Sequence, residues 1–157
     1  MPRYSNLLVA LILVTAPAAF AQSPPASAPP TQAERDAALS AMLSGATLEG
    51  SFTVTGKDPG KLTTDKYTLG EVKKLDGNNW LFPTRIQYSD KDFTLPLTLP
   101  IEWAGDTPVV VVDNVGMPGM GTFSARVLFF NDHYAGYWQH GEIGGNLFGK
   151  IHRAKAK

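Results

Sequence analysis

The sequence predicts an all-β fold. About eight strands form an up-and-down barrel or a strongly curled antiparallel sheet, preceded by one short helix. Three observations carry this expectation. From Ala46 onward, apolar residues recur at every second position, the period of a half-buried strand. Turn chemistry interrupts these runs at short intervals, as in Asp58-Pro59-Gly60 and Asp76-Gly77-Asn78-Asn79. Helical spacing occurs only ahead of the first strand.

The elements follow in chain order. Thr31-Gln32-Ala33-Glu34 is a capping box: a Thr at the N-cap, with Glu three residues later to reach back. Leu39, Met42 and Leu43 then recur at helical spacing, and Gly45 suits the position after a helix end because φ > 0 costs it nothing. This predicts a helix over about residues 32–44. Its apolar stripe is narrow, so it should lie across a sheet or plug one end of a barrel.

Ala46, Leu48, Gly50, Phe52 and Val54 make one face of a first strand. A second, more polar strand is expected near Lys66–Leu75. Trp80, Phe82, Ile86 and Tyr88 share a face of the third. The fourth is the clearest, with Phe93, Leu95, Leu97, Leu99, Ile101 and Trp103 on one side and Asp92, Thr94, Pro96, Thr98, Pro100 and Glu102 on the other. Backbone N–H groups also alternate along a strand. Pro96 and Pro100 therefore remove donors from the same edge, which should be unpaired or only partly paired. Val109–Val112 is a β-branched run that reads as a buried strand. Phe123, Ala125, Val127 and Phe129 line a sixth strand, and Tyr134–His140 and Asn146–His152 make the last two.

The termini suggest export. Arg3 provides a positive start, Leu7–Val14 a short apolar run, and Ala19-Phe20-Ala21 a small-x-small cleavage site. The expected organisation is a signal peptide at 1–21, a Pro/Ala/Ser linker at 22–31, one β domain at 32–152 and a basic tail at 153–157. The expected location is the periplasm or the medium. No membrane insertion is expected after cleavage, because Leu7–Val14 is too short to span a bilayer. The chain has no cysteine, so disulfides and thiolate metal sites are excluded. Its formal net charge is zero, and loss of Arg3 with the leader leaves the mature chain slightly acidic. That balance gives no electrostatic case for nucleic acid.

No stretch carries a catalytic or cofactor signature, and no cofactor is expected. The Gly116–Gly121 loop has the composition of a phosphate cradle, but a strand follows it where such cradles need a helix N-terminus. A metal site needs three or four convergent ligands. His133 and His140 stand roughly 20 Å apart on an extended strand, so no metal site is expected. The densest unusual stretch is Tyr134–Gly149, which interleaves aromatics, glycines and polar side chains. It reads as a barrel rim, and the candidate ligand-binding residues are Trp103, Trp138, Gln139, His140 and Glu142.

The Tyr134–Gly149 stretch is similar to the ending of small exported bacterial domains of unknown function. The layout over residues 46–152, with a short helix and then eight strands, also resembles calycin-type barrels, which include lipocalins and avidins. The lipocalin Gly-x-Trp opening is absent from the first strand, Leu48-Glu49-Gly50-Ser51-Phe52. The resemblance therefore implies a layout and no residue roles. The leading expectation is a binding module for a small apolar or aromatic ligand. The alternatives are a structural or interaction protein using an exposed sheet edge, and an exported hydrolase or metal-dependent enzyme centred on His140 and Glu142.

Overall fold

The computed structural model describes residues 28–58, 60–117 and 121–154. Helix α1 (Gln32–Leu43) leads into strands β1 (Thr47–Phe52), β2 (Thr63–Leu69), β3 (Lys73–Lys74), β4 (Asn79–Tyr88), β5 (Lys91–Ala104), β6 (Thr107–Met117), β7 (Gly121–Phe130), β8 (His133–His140) and β9 (Ile143–His152). Each long strand pairs antiparallel with the next, and β9 returns to pair with β1. The result is a closed eight-stranded barrel, with β3 a two-residue addition to β4. This is the expected all-β layout, and it is compatible with a calycin-like one. Closure pairs every long strand on both sides over at least part of its length, which limits the free edge that is the usual hazard of a sheet. The leader and linker positions 1–27 lie outside the described residues, as do Pro118–Met120 of the glycine loop and the tail from 155.

Helix α1 begins as its capping box dictates. The Thr31 hydroxyl accepts from the Glu34 N–H at 3.3 Å, and the Glu34 carboxylate accepts from the Thr31 N–H at 2.7 Å. Gly45 follows the helix with φ +69°, as expected of it. Leu39 and Leu43 are fully buried and plug one end of the barrel with Val72, Trp80 and Ile101. Up-and-down topology places the 105–106 and 131–132 turns at this helix end. The 53–62 loop and the 89–90 and 141–142 turns lie at the far end.

Strand β9 starts at Ile143, three residues before the expected Asn146, and two other strands differ more from the sequence reading. The second strand spans Thr63–Leu69 and stops, where one run near Lys66–Leu75 was expected. The Gly70 N–H donates to the Pro83 carbonyl, and the chain then bends so that Val72 tucks under the helix. There its N–H donates to the Ser44 hydroxyl at 3.0 Å. Burying Val72 wins over continuing the ladder. Strand β6 runs on to Met117, past the expected end at Val112, by absorbing a register shift between Val112 and Val115.

The proline argument holds. On one side β5 pairs with β4 from Lys91 to Pro100. On the other it pairs with β6 only from Ile101 to Ala104. Pro83 faces Pro96 across β4 and β5, and the Pro83 carbonyl accepts from Gly70 on the opposite side. The two prolines therefore form a non-hydrogen-bonded pair, and Pro96 turns its missing donor toward β6. Pro100, four residues on, does the same. The barrel wall is thus split between Lys91–Pro100 of β5 and the part of β6 beyond Val110.

Candidate functional site

Alternation sends one face of every strand into the barrel. The interior is not filled. A cavity of about 140 Å³ lies in mid-barrel, within the size range of apolar cavities known to take up benzene. Its walls are mainly aliphatic, from Leu48, Leu69, Leu97, Leu99, Val110 and Leu147, with Phe82, Val127 and Phe129. Leu99 and Val110 stand on the two strands that bound the split, so the cavity borders the discontinuity in the wall.

Three polar side chains join this lining: Tyr67, Thr84 and Tyr134. Both tyrosines lead to a buried acid. Asp65 is 5% exposed. One of its carboxylate oxygens accepts from the Tyr134 hydroxyl and the other from the Tyr67 hydroxyl, each at 3.0 Å. Thr84 donates to the Phe82 carbonyl at 2.9 Å. Among the described residues Asp65 has no ion-pair partner within 4 Å. Lys66, next along β2, points outward to Glu49 at 2.8 Å.

Burial pushes the Asp65 carboxyl above its ordinary pKa, and the two tyrosine hydrogen bonds oppose that shift. Both tyrosines are raised well beyond the normal phenol range, first by burial and then by the Asp65 charge. Glycine makes the arrangement sterically feasible. A Cβ on Gly50 would collide with the Tyr134 hydroxyl, and one on Gly149 would lie 2.6 Å from the Tyr134 ring. These two glycines clear the notch in which the ring stands.

The sequence-predicted residues are distributed over both ends of the barrel. Trp138 is half-buried beneath the far rim. Its ring meets Phe52 edge-to-face at 5.7 Å. Phe52 meets Tyr88 at 6.0 Å, and Tyr88 meets Phe93 at 6.4 Å. This row of rings closes much of the far end, and the Trp138 Nε1–H is buried there without an acceptor among the described residues. Gln139, His140 and Glu142 are exposed on the rim above it. Gln139 donates to the Gly141 carbonyl at 2.9 Å, and His140 stacks flat on Phe123 with centroids 4.3 Å apart. None of these three lines the cavity.

Trp103 lies at the helix end. It lines a separate surface groove of about 360 Å³ between α1 and the barrel, where the Arg35 guanidinium sits 5.5 Å above its ring. The groove is bordered by charges of both signs, Glu34, Arg35, Asp106 and Arg153. Arg153 is already paired with Asp132 at 2.6 Å. The structure therefore brings Trp138, Gln139, His140 and Glu142 to one rim and leaves Trp103 at the opposite end. Among the described residues, no three His, Asp or Glu side chains converge as metal ligands.

The Asp65–Tyr67–Tyr134 group is the feature that the sequence reading missed. A signal for half of it was present. Tyr67 and Leu69 define the inward face of β2, and the same phase puts Asp65 on it. Tyr134 was read only as part of the closing hairpin. No family model, curated protein or solved structure matches this chain.

Proposed function

We propose that the barrel interior is the binding site for one small apolar or aromatic molecule, in a protein that works outside the cytoplasm. The mid-barrel cavity carries this reading. Protein interiors are close-packed, with few voids larger than a water molecule. An unfilled apolar space forfeits the packing contacts that a close-packed core would make. A small disulfide-free domain retains such a cost most readily where the space is used. The split between β5 and β6 supports the same reading, because it gives the cavity a flank that no ladder hydrogen bonds seal. Location outside the cytoplasm rests on Arg3, the Leu7–Val14 run and Ala19-Phe20-Ala21.

The sheet edge is less suited to strand addition. Pro96 and Pro100 take two donors from the part of β5 that a partner strand would need.

Native mass spectrometry of protein purified from its own periplasm or medium should reveal a retained small molecule. NMR titration with toluene tests the site directly. Val127→Phe places a ring in the cavity and should abolish toluene binding while keeping the fold. Toluene binding that survives this substitution would place the ligand elsewhere. Absence of both a retained molecule and toluene binding would reject the reading.

A further inference from the structure

We propose that the outer wall of β6–β9 is an interface for a second copy of this chain. The outside of the barrel is two-faced. On β1, β2, β4 and β5 the outward positions include Glu49, Lys66, Arg85 and Asp92, joined in two exposed ion pairs. On β6–β9 the middle of the wall is hydrocarbon. Val109 faces Leu128, Leu128 faces Ala135 and Ala135 faces Phe148, so four apolar residues stand in one row across four strands. Residues two apart on a strand share a face. Phe130 therefore extends the row from Leu128 toward the helix end, and Tyr137 extends it from Ala135 toward the far end. Leu128, Phe130, Tyr137 and Phe148 are each between 41% and 56% exposed. Single exposed apolar residues are ordinary, whereas a contiguous group rimmed by polar ones marks an interaction surface. Here the rim holds Lys150 and the Arg126–Asp113 pair, closed at 2.8 Å.

A second copy fits this face by shape. In a two-fold interface, residue i meets j and j meets i. The axis lies in the interface, parallel to the strands and between β7 and β8. It brings Leu128 onto Ala135 of the second copy and Val109 onto Phe148, a larger side chain against a smaller one in each case. It brings Phe130 onto His133, ring on ring, and the Arg126 guanidinium onto the Tyr137 ring, a cation–π contact. Lys150 falls on Thr107, so no charge meets its like. An axis along the row would instead set Ala135 on Ala135 and Phe148 on Phe148, leaving a gap at one and crowding at the other.

The area also suffices. Aromatic side chains present about 150–250 Å² each, so the four exposed residues offer about 350 Å² of apolar surface per copy. At an apolar share of roughly 60%, the matching interface is about 600 Å² per copy. The total of about 1,200 Å² is the lower bound for specific association. Such an interface supports a reversible dimer. Lipid is a poorer occupant, because a barrel in a bilayer carries its apolar band all the way round, and Glu49, Lys66, Arg85 and Asp92 interrupt it here.

Sedimentation velocity of the chain as purified tests the interface. Wild type should pass from monomer to dimer between about 1 μM and 1 mM. Phe148→Glu buries an unpaired charge in the dimer and should keep the chain monomeric where wild type is dimeric. Its thermal melt in dilute solution should match wild type, since residue 148 faces solvent in the monomer. Leu128→Gln is a milder change that tests the same row, and it should weaken the dimer about tenfold. Val109→Phe alone should also weaken it by crowding Phe148 of the second copy, and adding Phe148→Val should restore it. A wild type that stays monomeric at about 1 mM, or a dimer indifferent to both Phe148→Glu and Leu128→Gln, would overturn the proposal. A double variant no tighter than Val109→Phe alone would overturn the placement of the axis.

Discussion

Tyr134→Phe isolates one hydrogen bond in the core. The Tyr134 side chain is 1% exposed, and its hydroxyl donates to Asp65 at 3.0 Å. Phenylalanine keeps the ring in the notch between Gly50 and Gly149, so apolar packing is retained and only the donor is lost. Asp65 then keeps a single donor, Tyr67, on a carboxylate that water scarcely reaches. A hydrogen bond to a charged group is worth about 1.5–3 kcal/mol. Urea denaturation is the assay. With an m-value of about 2 kcal/mol/M, the midpoint should fall by about 1 M. Tyr137→Phe is the control, because Tyr137 is 45% exposed on the same strand. Its effect should stay within about 0.5 kcal/mol. The Tyr134→Phe penalty should shrink on acidification, since protonated Asp65 loses only a neutral hydrogen bond. A penalty equal to the Tyr137→Phe control at neutral pH would refute the claim that Tyr134 stabilises a buried charge.

Three other outcomes follow from the same structure. Leu97→Ala should cost about 2 kcal/mol, the low end for a core leucine, because Leu97 is half-buried and already borders a cavity; exposed Thr98→Ala should cost far less, and equal midpoints in denaturant would contradict the alternation of β5. Thr31→Ala should lower stability by about 1 kcal/mol, as the capping box is lost, and a melting temperature equal to wild type would show that the box is redundant. The pH dependence of Asp65 has a definite sign. Its folded pKa lies above the unfolded value, so its contribution to stability is fully present below the unfolded value of 3.8 and is lost as pH rises through the folded pKa. Wild type should therefore gain stability relative to Asp65→Asn as pH falls from neutrality toward 4, and a constant difference across parallel melts would count against a raised carboxyl.

Much of the fold was legible because it is encoded in neighbours. The capping box, the period of two and the turn dipeptides are short-range patterns, and they produced α1 and eight strands nearly in place. Pro96 and Pro100 even indicated that one edge of β5 would go unpaired or only partly paired, since a missing N–H is a local fact with a local consequence. The candidate site was legible only in part. The rim hairpin was found from its composition, but period says which face a residue takes and nothing about what meets it there. Asp65 and Tyr134 stand 69 positions apart and touch only because β9 closes onto β1 and sets β8 across the interior from β2. The cavity has the same origin, since its volume is what remains when inward side chains from eight strands fail to fill the barrel. Sequence alone determined the strands, their inward faces and the blunted edge, because each depends on residues a few positions apart. Barrel closure, the buried Asp65 with its two tyrosines and the space beside them were decided by tertiary structure, because each depends on distances between strands far apart in the chain.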